Sequence, residues 1–195
     1  MKTIAKLFIF LLRVLKRINM LIMIPAFKKH GRKFIFDPTD FFSYSNIEIG
    51  NYVSIGKGAT FLASESKIII GDKVLFGPNV TIVGGNHNTS VVGKFIYDVL
   101  EKRDIDDQDI IIEDDIWVGS NVVILKGVRL FRGCVIGAGS VVTKDIPPYS
   151  IALGVPAKVK SFRFSPEEIL FHEEKLYPLD KRYSLSEMKN FLEKI

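Results

Sequence analysis

The chain has 195 residues, a net charge of +5 and 47% hydrophobic residues, enough apolar material for one elongated core with terminal additions. Its single cysteine, Cys134, excludes a disulfide framework and points to a reducing compartment. Residues 1–36 hold nine Lys or Arg and no Asp or Glu, leaving 18 basic against 22 acidic residues beyond them, so the positive charge is an N-terminal property; no reading motif accompanies it, and a nucleic-acid role is not expected.

In that first segment Ile4, Leu7, Phe8, Leu11, Leu15, Ile18 and Ile22 follow helical spacing, and Lys2, Lys6, Arg13, Lys16 and Arg17 interrupt or oppose them. Arg13, Lys16 and Arg17 fall where a membrane span needs its apolar centre, and the apolar run Leu7 to Leu12 is too short for a secretory signal without a cleavage site. Two readings stay open. One is a basic amphipathic helix lying on an anionic membrane surface; the other is a helix packed on the body of the protein or on a neighbouring subunit. Pro25 closes the helix, and FKKHGRKF leads out of it.

Beyond residue 36 an apolar residue returns every six positions. Ile49, Ile55 and Phe61 form one set, Ile70, Phe76 and Ile82 a second, and Ile112, Val118, Ile124, Leu130, Ile136 and Val142 a continuous third. Glycine often follows the beat, as at Gly50, Gly56, Gly71, Gly77, Gly119 and Gly137, and a small or β-branched residue sits four places after it, as at Ile116, Val122, Val128, Cys134, Ser140 and Ile146. A period of six belongs to neither an ordinary helix nor an ordinary strand. It predicts stacked strand-and-turn units about 4.8 Å apart, a parallel β-helix in which three hexads make one triangular coil. The 36 residues Ile112 to Pro147 make two such coils. Cys134, among the small inward residues, reads as core.

The winding is interrupted twice. Nine residues rather than six separate Phe61 from Ile70, which predicts an outward bulge at residues 64–67. Thirty residues separate Ile82 from Ile112, beginning with the turn formers of GGNHNTS and ending in the charged run EKRDIDDQD. A loop this long in a compact repeat is more often functional than decorative. After the coils, Ser165 with Glu168 and Ser184 with Glu187 form capping boxes, which predict short helices near 166–177 and 185–194. His172, inside the first of these, reads as a packed or solvated helix residue.

The runs IWVGSNVVILKGV (116–128) and VIGAGSVVTKDIPPYSIALGVPAKV (135–159) resemble the hexapeptide-repeat acyltransferases, in the branch of galactoside, maltose, nodulation-factor and xenobiotic O-acetyltransferases. The resemblance covers roughly residues 45–160. It implies a left-handed parallel β-helix, acetyl-CoA as acyl donor, no metal, and a homotrimer with active sites between subunits. It also implies direct acetyl transfer, without an acyl-enzyme, to a sugar hydroxyl.

Carried over residue by residue, the resemblance makes His87 the general base. A sugar hydroxyl is a weak nucleophile, and a neutral imidazole, which titrates at about 6.5, can take its proton. The partner that orients His87 is left open among Asp98, Glu101, the acidic cluster Asp104 to Asp109 and a backbone carbonyl. Asn86 and Asn88 flank the base and are assigned to the acceptor, turn formation being the competing role. A main-chain N–H at Gly119 and Ser120 is assigned to the oxyanion. Trp117 is assigned to the pantetheine end of the donor groove, with a packing anchor as the alternative. Ala138 and Gly139 let the pantetheine arm lie close, and Thr143, Lys144 and Lys158 meet the adenosine and 3′-phosphate end.

Three segments follow: a basic amphipathic stretch over 1–36, the β-helix over 37–160 with its loop at 84–110, and a helical tail over 161–195. The first is not matched by the N-terminal segment of maltose and galactoside enzymes. The tail FRFSPEEILFHEEKLYP departs from the tryptophan-rich tail of xenobiotic acetyltransferases and looks more like those of surface-polysaccharide acetyltransferases. A cytoplasmic O-acetyltransferase acting on a lipid-linked or nucleotide-linked sugar of capsule or O-antigen synthesis is therefore expected, with a peripheral place at the inner face of the membrane left open by the N-terminal helix. The alternatives are N-acetylation of an amino sugar, a xenobiotic acetyltransferase and a non-catalytic β-helix scaffold. A zinc-dependent carbonic anhydrase-like β-helix lacks the clustered histidines it would need.

Overall fold

The computed structural model describes residues 2–192. Helix α1 (Lys2–Met23) leads into strands β1 (Lys29–His30), β2 (Phe41–Phe42), β3 (Ile47–Ile49), β4 (Ser54–Ile55), β5 (Thr60–Leu62), β6 (Ile68–Ile70), β7 (Leu75–Phe76) and β8 (Thr81–Val83). After the long loop come β9 (Ile110–Ile112), β10 (Trp117–Val118), β11 (Val123–Leu125), β12 (Arg129–Leu130), β13 (Val135–Ile136), β14 (Val141–Val142), β15 (Ser150–Leu153) and β16 (Lys158–Phe162). Helices α2 (Pro166–Leu176) and α3 (Leu185–Leu192) complete the described chain.

The strands form three sheets that are the faces of a triangular prism. The first stacks β1, β3, β6, β9 and β12; the second stacks β4, β7, β10, β13 and β15; the third stacks β2, β5, β8, β11 and β14. All of these pairs are parallel, and the register carries the six-residue beat from rung to rung: Ile49 lies beside Ile70, Ile70 beside Ile112, and Ile112 beside Leu130. Each rung buries the beat residue and the residue two before it, as with Ile110 and Ile112, Ile116 and Val118, or Val122 and Ile124. Burying one such side chain is worth about 1.5–3 kcal/mol. No hexad closes its interior alone, so the period is a direct consequence of stacking.

The bulge at residues 64–67 leaves the third face after β5, and Asn46 Nδ2 ties its base by donating to the carbonyls of Ala63 and Ser64, 2.8 Å each. The prism also starts earlier than residue 37. β1 pairs with β3, Ile35 bridges to Ser54, and β2 pairs with β5, so residues 29–46 form a complete first coil. Its period is masked because the end coil has a neighbour on one side only. An aromatic plug of Phe34, Phe36 and Phe42 replaces the aliphatic beat, and Phe27 packs edge-on against Phe34 and Phe36 to close it.

At the other end β16 runs antiparallel to β15 and covers the edge of the second sheet. The tail is anchored through Glu173, which is buried: it accepts from Tyr149 Oη and, at 2.8 Å, from Arg132 Nη1. Both capping boxes form, at Ser165 with Glu168 and at Ser184 with Glu187. The first helix stops at Leu176, and positions 193–194 of the second expected helix lie outside the described residues.

Candidate active site

The long loop leaves the prism at the corner between the third and first faces and returns through a short paired stem. Gly85 bridges Asp107 antiparallel, the Asn86 N–H donates to the Asp106 carbonyl at 2.7 Å, and the Gln108 N–H donates to the Gly84 carbonyl at 3.0 Å. The stem delivers His87 directly above the strand ends. There His87 lines a cavity of about 790 Å³ with Leu62 and Val83 from the third face and with Lys126, Asp106 and Asp107 around it. On its other side a cleft of about 600 Å³ runs under Ile96, Tyr97 and Leu100. The imidazole is exposed and lines both spaces, and no hydrogen bond reaches it among the described residues.

Of the acidic groups in the loop, Asp106 and Asp107 share the larger cavity with His87, whereas Asp98, Glu101, Asp104 and Asp109 do not line it. Asp106 is fully engaged by Arg103, whose Nη2 and Nε donate at 2.7 and 3.0 Å and whose backbone N–H donates at 2.9 Å; the Arg103 side chain above all holds that carboxyl down at about 2. Asp107 differs. Its Oδ2 accepts from Lys102, but its buried Oδ1 has no partner among the described residues. Gly85 makes room for it, since a Cβ there would stand 1.9 Å from that oxygen. Asp107 was only one of several acids in a charged run; the stem pairing singles it out.

Two assignments change. Asn88 is buried and spent inside the loop: its Oδ1 accepts from the Ser90 N–H at 3.1 Å and the Ser90 hydroxyl at 2.8 Å, and its Nδ2 donates to the Glu101 carbonyl at 3.2 Å. It is a turn-forming asparagine, whereas Asn86 is exposed and lines the cavity wall. The Gly119 N–H is also spent, donating at 2.8 Å to the Ile136 carbonyl of the next rung. The Ser120 N–H makes no hydrogen bond among the described residues, so the N–H left unpaired at this turn is that of Ser120. Gly77, one rung below, keeps the approach clear, because a Cβ there would lie 2.6 Å from the Ser120 nitrogen.

Gly119 and Ser120 turn the corner between the second and third faces, and Ala138 and Gly139 turn it one rung later, with the Gly139 N–H donating to the Ser120 carbonyl at 2.9 Å. Gly58, Asn79, Asn121 and Gly139 occupy equivalent places along this corner, all with φ between +57° and +87°. At Gly139 a Cβ would meet nothing within 4 Å, so this backbone lies open to an approaching chain. Trp117 is 56% exposed on the second face and lines a separate cleft with Leu75, Val135 and Arg163, so it does not pack into the core of its own prism. Thr143 and Lys144 follow β14, Lys158 opens β16, all three are exposed, and neither lysine pairs with a carboxylate among the described residues.

A single copy therefore does not bring Trp117 and His87 into one cavity. Of the remaining singled-out residues, Cys134 is fully buried and burial pushes its thiol far up, which makes it inert. His172 packs between Tyr149 and Phe164, and His30 lies at the first coil. Among the described residues no cluster of His, Cys, Asp or Glu has metal-binding geometry.

Comparison with known proteins follows the same lines. Residues 109–144 match the family model described as hexapeptide repeat of succinyl-transferase. A solved galactoside acetyltransferase in complex with coenzyme A superposes with a TM-score of 0.61 at 33% identity, over 81% of this chain and 73% of that one. The chain belongs to the hexapeptide-repeat acetyltransferases. Its prism is the left-handed parallel β-helix of that family. A hexapeptide-repeat acetyltransferase from Vibrio cholerae complexed with acetyl coenzyme A gives a TM-score of 0.65 at 30% identity, covering 72% of this chain and 74% of that one. The galactoside O-acetyltransferase of Escherichia coli is 42% identical over 125 residues, 63% of this chain and 58% of that enzyme. The hexapeptide-repeat chain thus spans little more than half the length of the curated relatives it matches.

Proposed function

We propose that this protein is an acetyl-CoA-dependent O-acetyltransferase acting on a sugar hydroxyl, with His87 as general base. The carrying observation is the position of His87, held by the loop stem at the mouth of the 790 Å³ cavity and open to a second cleft on its other side. The donor supplies an electrophilic thioester carbonyl. The His87 imidazole takes the proton of the acceptor hydroxyl as its oxygen attacks, and the Ser120 N–H donates to the carbonyl oxygen as negative charge develops there; collapse of the tetrahedral intermediate breaks the C–S bond, and the CoA thiolate leaves with the proton from the imidazolium as free thiol. Asp107, which lines this cavity and whose Oδ1 has no hydrogen-bond partner among the described residues, is the carboxylate we assign to orienting the imidazole.

The donor fits the second-to-third corner. The open backbone at Ala138 and Gly139 suits a pantetheine arm, the exposed Trp117 offers it an apolar wall, and the unpaired Lys144 and Lys158 suit the 3′-phosphate. A trimer would bring these groups to His87 of an adjacent prism. In support, Phe95, Tyr97 and Leu100 at the loop tip are 82–92% exposed, an apolar surface that a neighbouring prism would cover. A nucleotide-linked or lipid-linked sugar of capsule or O-antigen synthesis is the acceptor class favoured by the tail sequence. A cytoplasmic site of action, where CoA thioesters are made, goes with that reading.

The test is release of CoA thiol from acetyl-CoA across sugars, nucleotide sugars and glycolipids, with amino sugars paired against their hydroxyl counterparts. His87→Ala should lower kcat about 10²–10⁴-fold with the fold intact. Near wild-type turnover in that variant, or turnover confined to the amines, would refute the proposal.

A further inference from the structure

Helix α1 plays no part in the transfer chemistry, and its orientation runs against the usual rule. Met20 is its buried side chain, joining the core of the first coil, and Lys16 Nζ donates to the buried carboxylate of Asp37. Burial opposes the charge on Asp37, but the hydrogen bonds from Lys16 and Thr39 overcome it and hold that carboxyl below its ordinary range. Met20 shares one helical face with Lys2, Lys6, Arg13, Lys16 and Arg17, so where the C-terminal part of the helix meets the prism, at Lys16 and Met20, it is the basic face that turns toward it. Ile4, Phe8, Leu11, Leu15, Ile18 and Ile22 form the opposite stripe and are 47–73% exposed. A surface helix ordinarily turns its apolar stripe to the core; here the stripe faces outward.

Two features identify what covers it. Leu7 also belongs to the stripe, Phe10 and Leu12 flank it on either side, and all three are exposed, so the apolar surface is broader than the seam a single partner helix would bury. The helix carries five basic residues and no acidic one, so a second copy would meet it with like charge and no complementary carboxylate. On a helix about 10 Å across, these cations stay within about a Debye length of whatever the apolar face rests on. No helix among the described residues is long and apolar enough to cross a membrane.

We propose that α1 lies in the interface of an anionic lipid bilayer, its apolar stripe below the headgroups and its cations among them, and tethers the first coil of the prism to that surface. The lipid is recognised by its negative headgroup and its acyl boundary together. This inference does not depend on acetyl transfer, although it would set a lipid-linked acceptor and the prism on the same plane.

The test is flotation of the full chain with vesicles of phosphatidylcholine with or without phosphatidylglycerol. Binding to the anionic vesicles should exceed binding to the neutral ones by at least about tenfold and fall several-fold between about 0.1 and about 0.5 M NaCl. Leu11→Glu with Leu15→Glu should abolish flotation while leaving the thermal melt unchanged, since neither side chain belongs to the core. Failure of the wild-type chain to float with anionic vesicles would overturn the proposal, as would equal binding to neutral ones. It would also be overturned if the double variant still floated but lost a self-associated state by light scattering, which would make a second copy the occupant.

Discussion

The prism wall and the loop inserted into it are built on opposite principles. In the wall the same two positions of every hexad are buried, main-chain ladders run from rung to rung, and the interior is almost wholly apolar. In the loop a short stem, one asparagine turn and two acid–base pairs, Arg103 with Asp106 and Lys102 with Asp107, hold the backbone, and most apolar side chains are exposed. The wall is stiff because its energy is distributed; the loop is adjustable because its energy sits in a few polar contacts. The proposed chemistry asks for both, a base on a segment that can meet different acceptors and a corner held by the ladders of the wall.

That contrast can be broken from the wall side first. Ile124→Ala, which empties a fully buried position in the middle of the stack, should cost about 2–5 kcal/mol in urea unfolding while leaving activity per folded molecule nearly unchanged. A smaller effect, about 1–3 kcal/mol, is expected for Gly77→Ala, because the new Cβ would press on the Ser120 nitrogen. Unlike Ile124→Ala it should also lower kcat, because it moves the proposed oxyanion donor; a drop in stability with unchanged kcat would separate Ser120 from the chemistry.

The smallest global effect is expected from acid acting on the loop. The Asp106 carboxyl is held at about 2, below its ordinary 3.8, so its contribution is complete above the ordinary value and is lost as pH falls toward 2. Hydrogen exchange at Asn86 and Gln108, the stem amides, should therefore accelerate between about pH 4 and pH 2 relative to wall amides such as Gly119. Parallel behaviour of stem and wall would mean that the loop is not an independent unit.

Much of the wall was legible in the sequence because one physical demand, an apolar side chain at the same inward place in each rung, repeats six residues later. The first coil escaped because it ends the stack: Phe34, Phe36 and Phe42 plug an open end, and an exposed histidine, His30, stands where the beat would fall. In the loop, the turn-rich segment around His87 stood out by composition, but nothing in the run EKRDIDDQD distinguishes Asp107 from its neighbours until stem pairing buries it against Gly85. Gly119 and Ser120 were equivalent as donors until the ladder to Ile136 consumed the first of them.

By itself, then, the order of residues determined the repeat, the prism it implies, the interruptions and the histidine lying in the longest of them, because periodicity and turn chemistry are local properties of a chain. Only the tertiary structure decided which N–H groups and which carboxylate oxygen of the cavity lined by His87 have no partner among the described residues, and that α1 turns its apolar stripe outward. Those depend on what each group meets across the fold, and two residues of the same type in one short segment can meet entirely different neighbours.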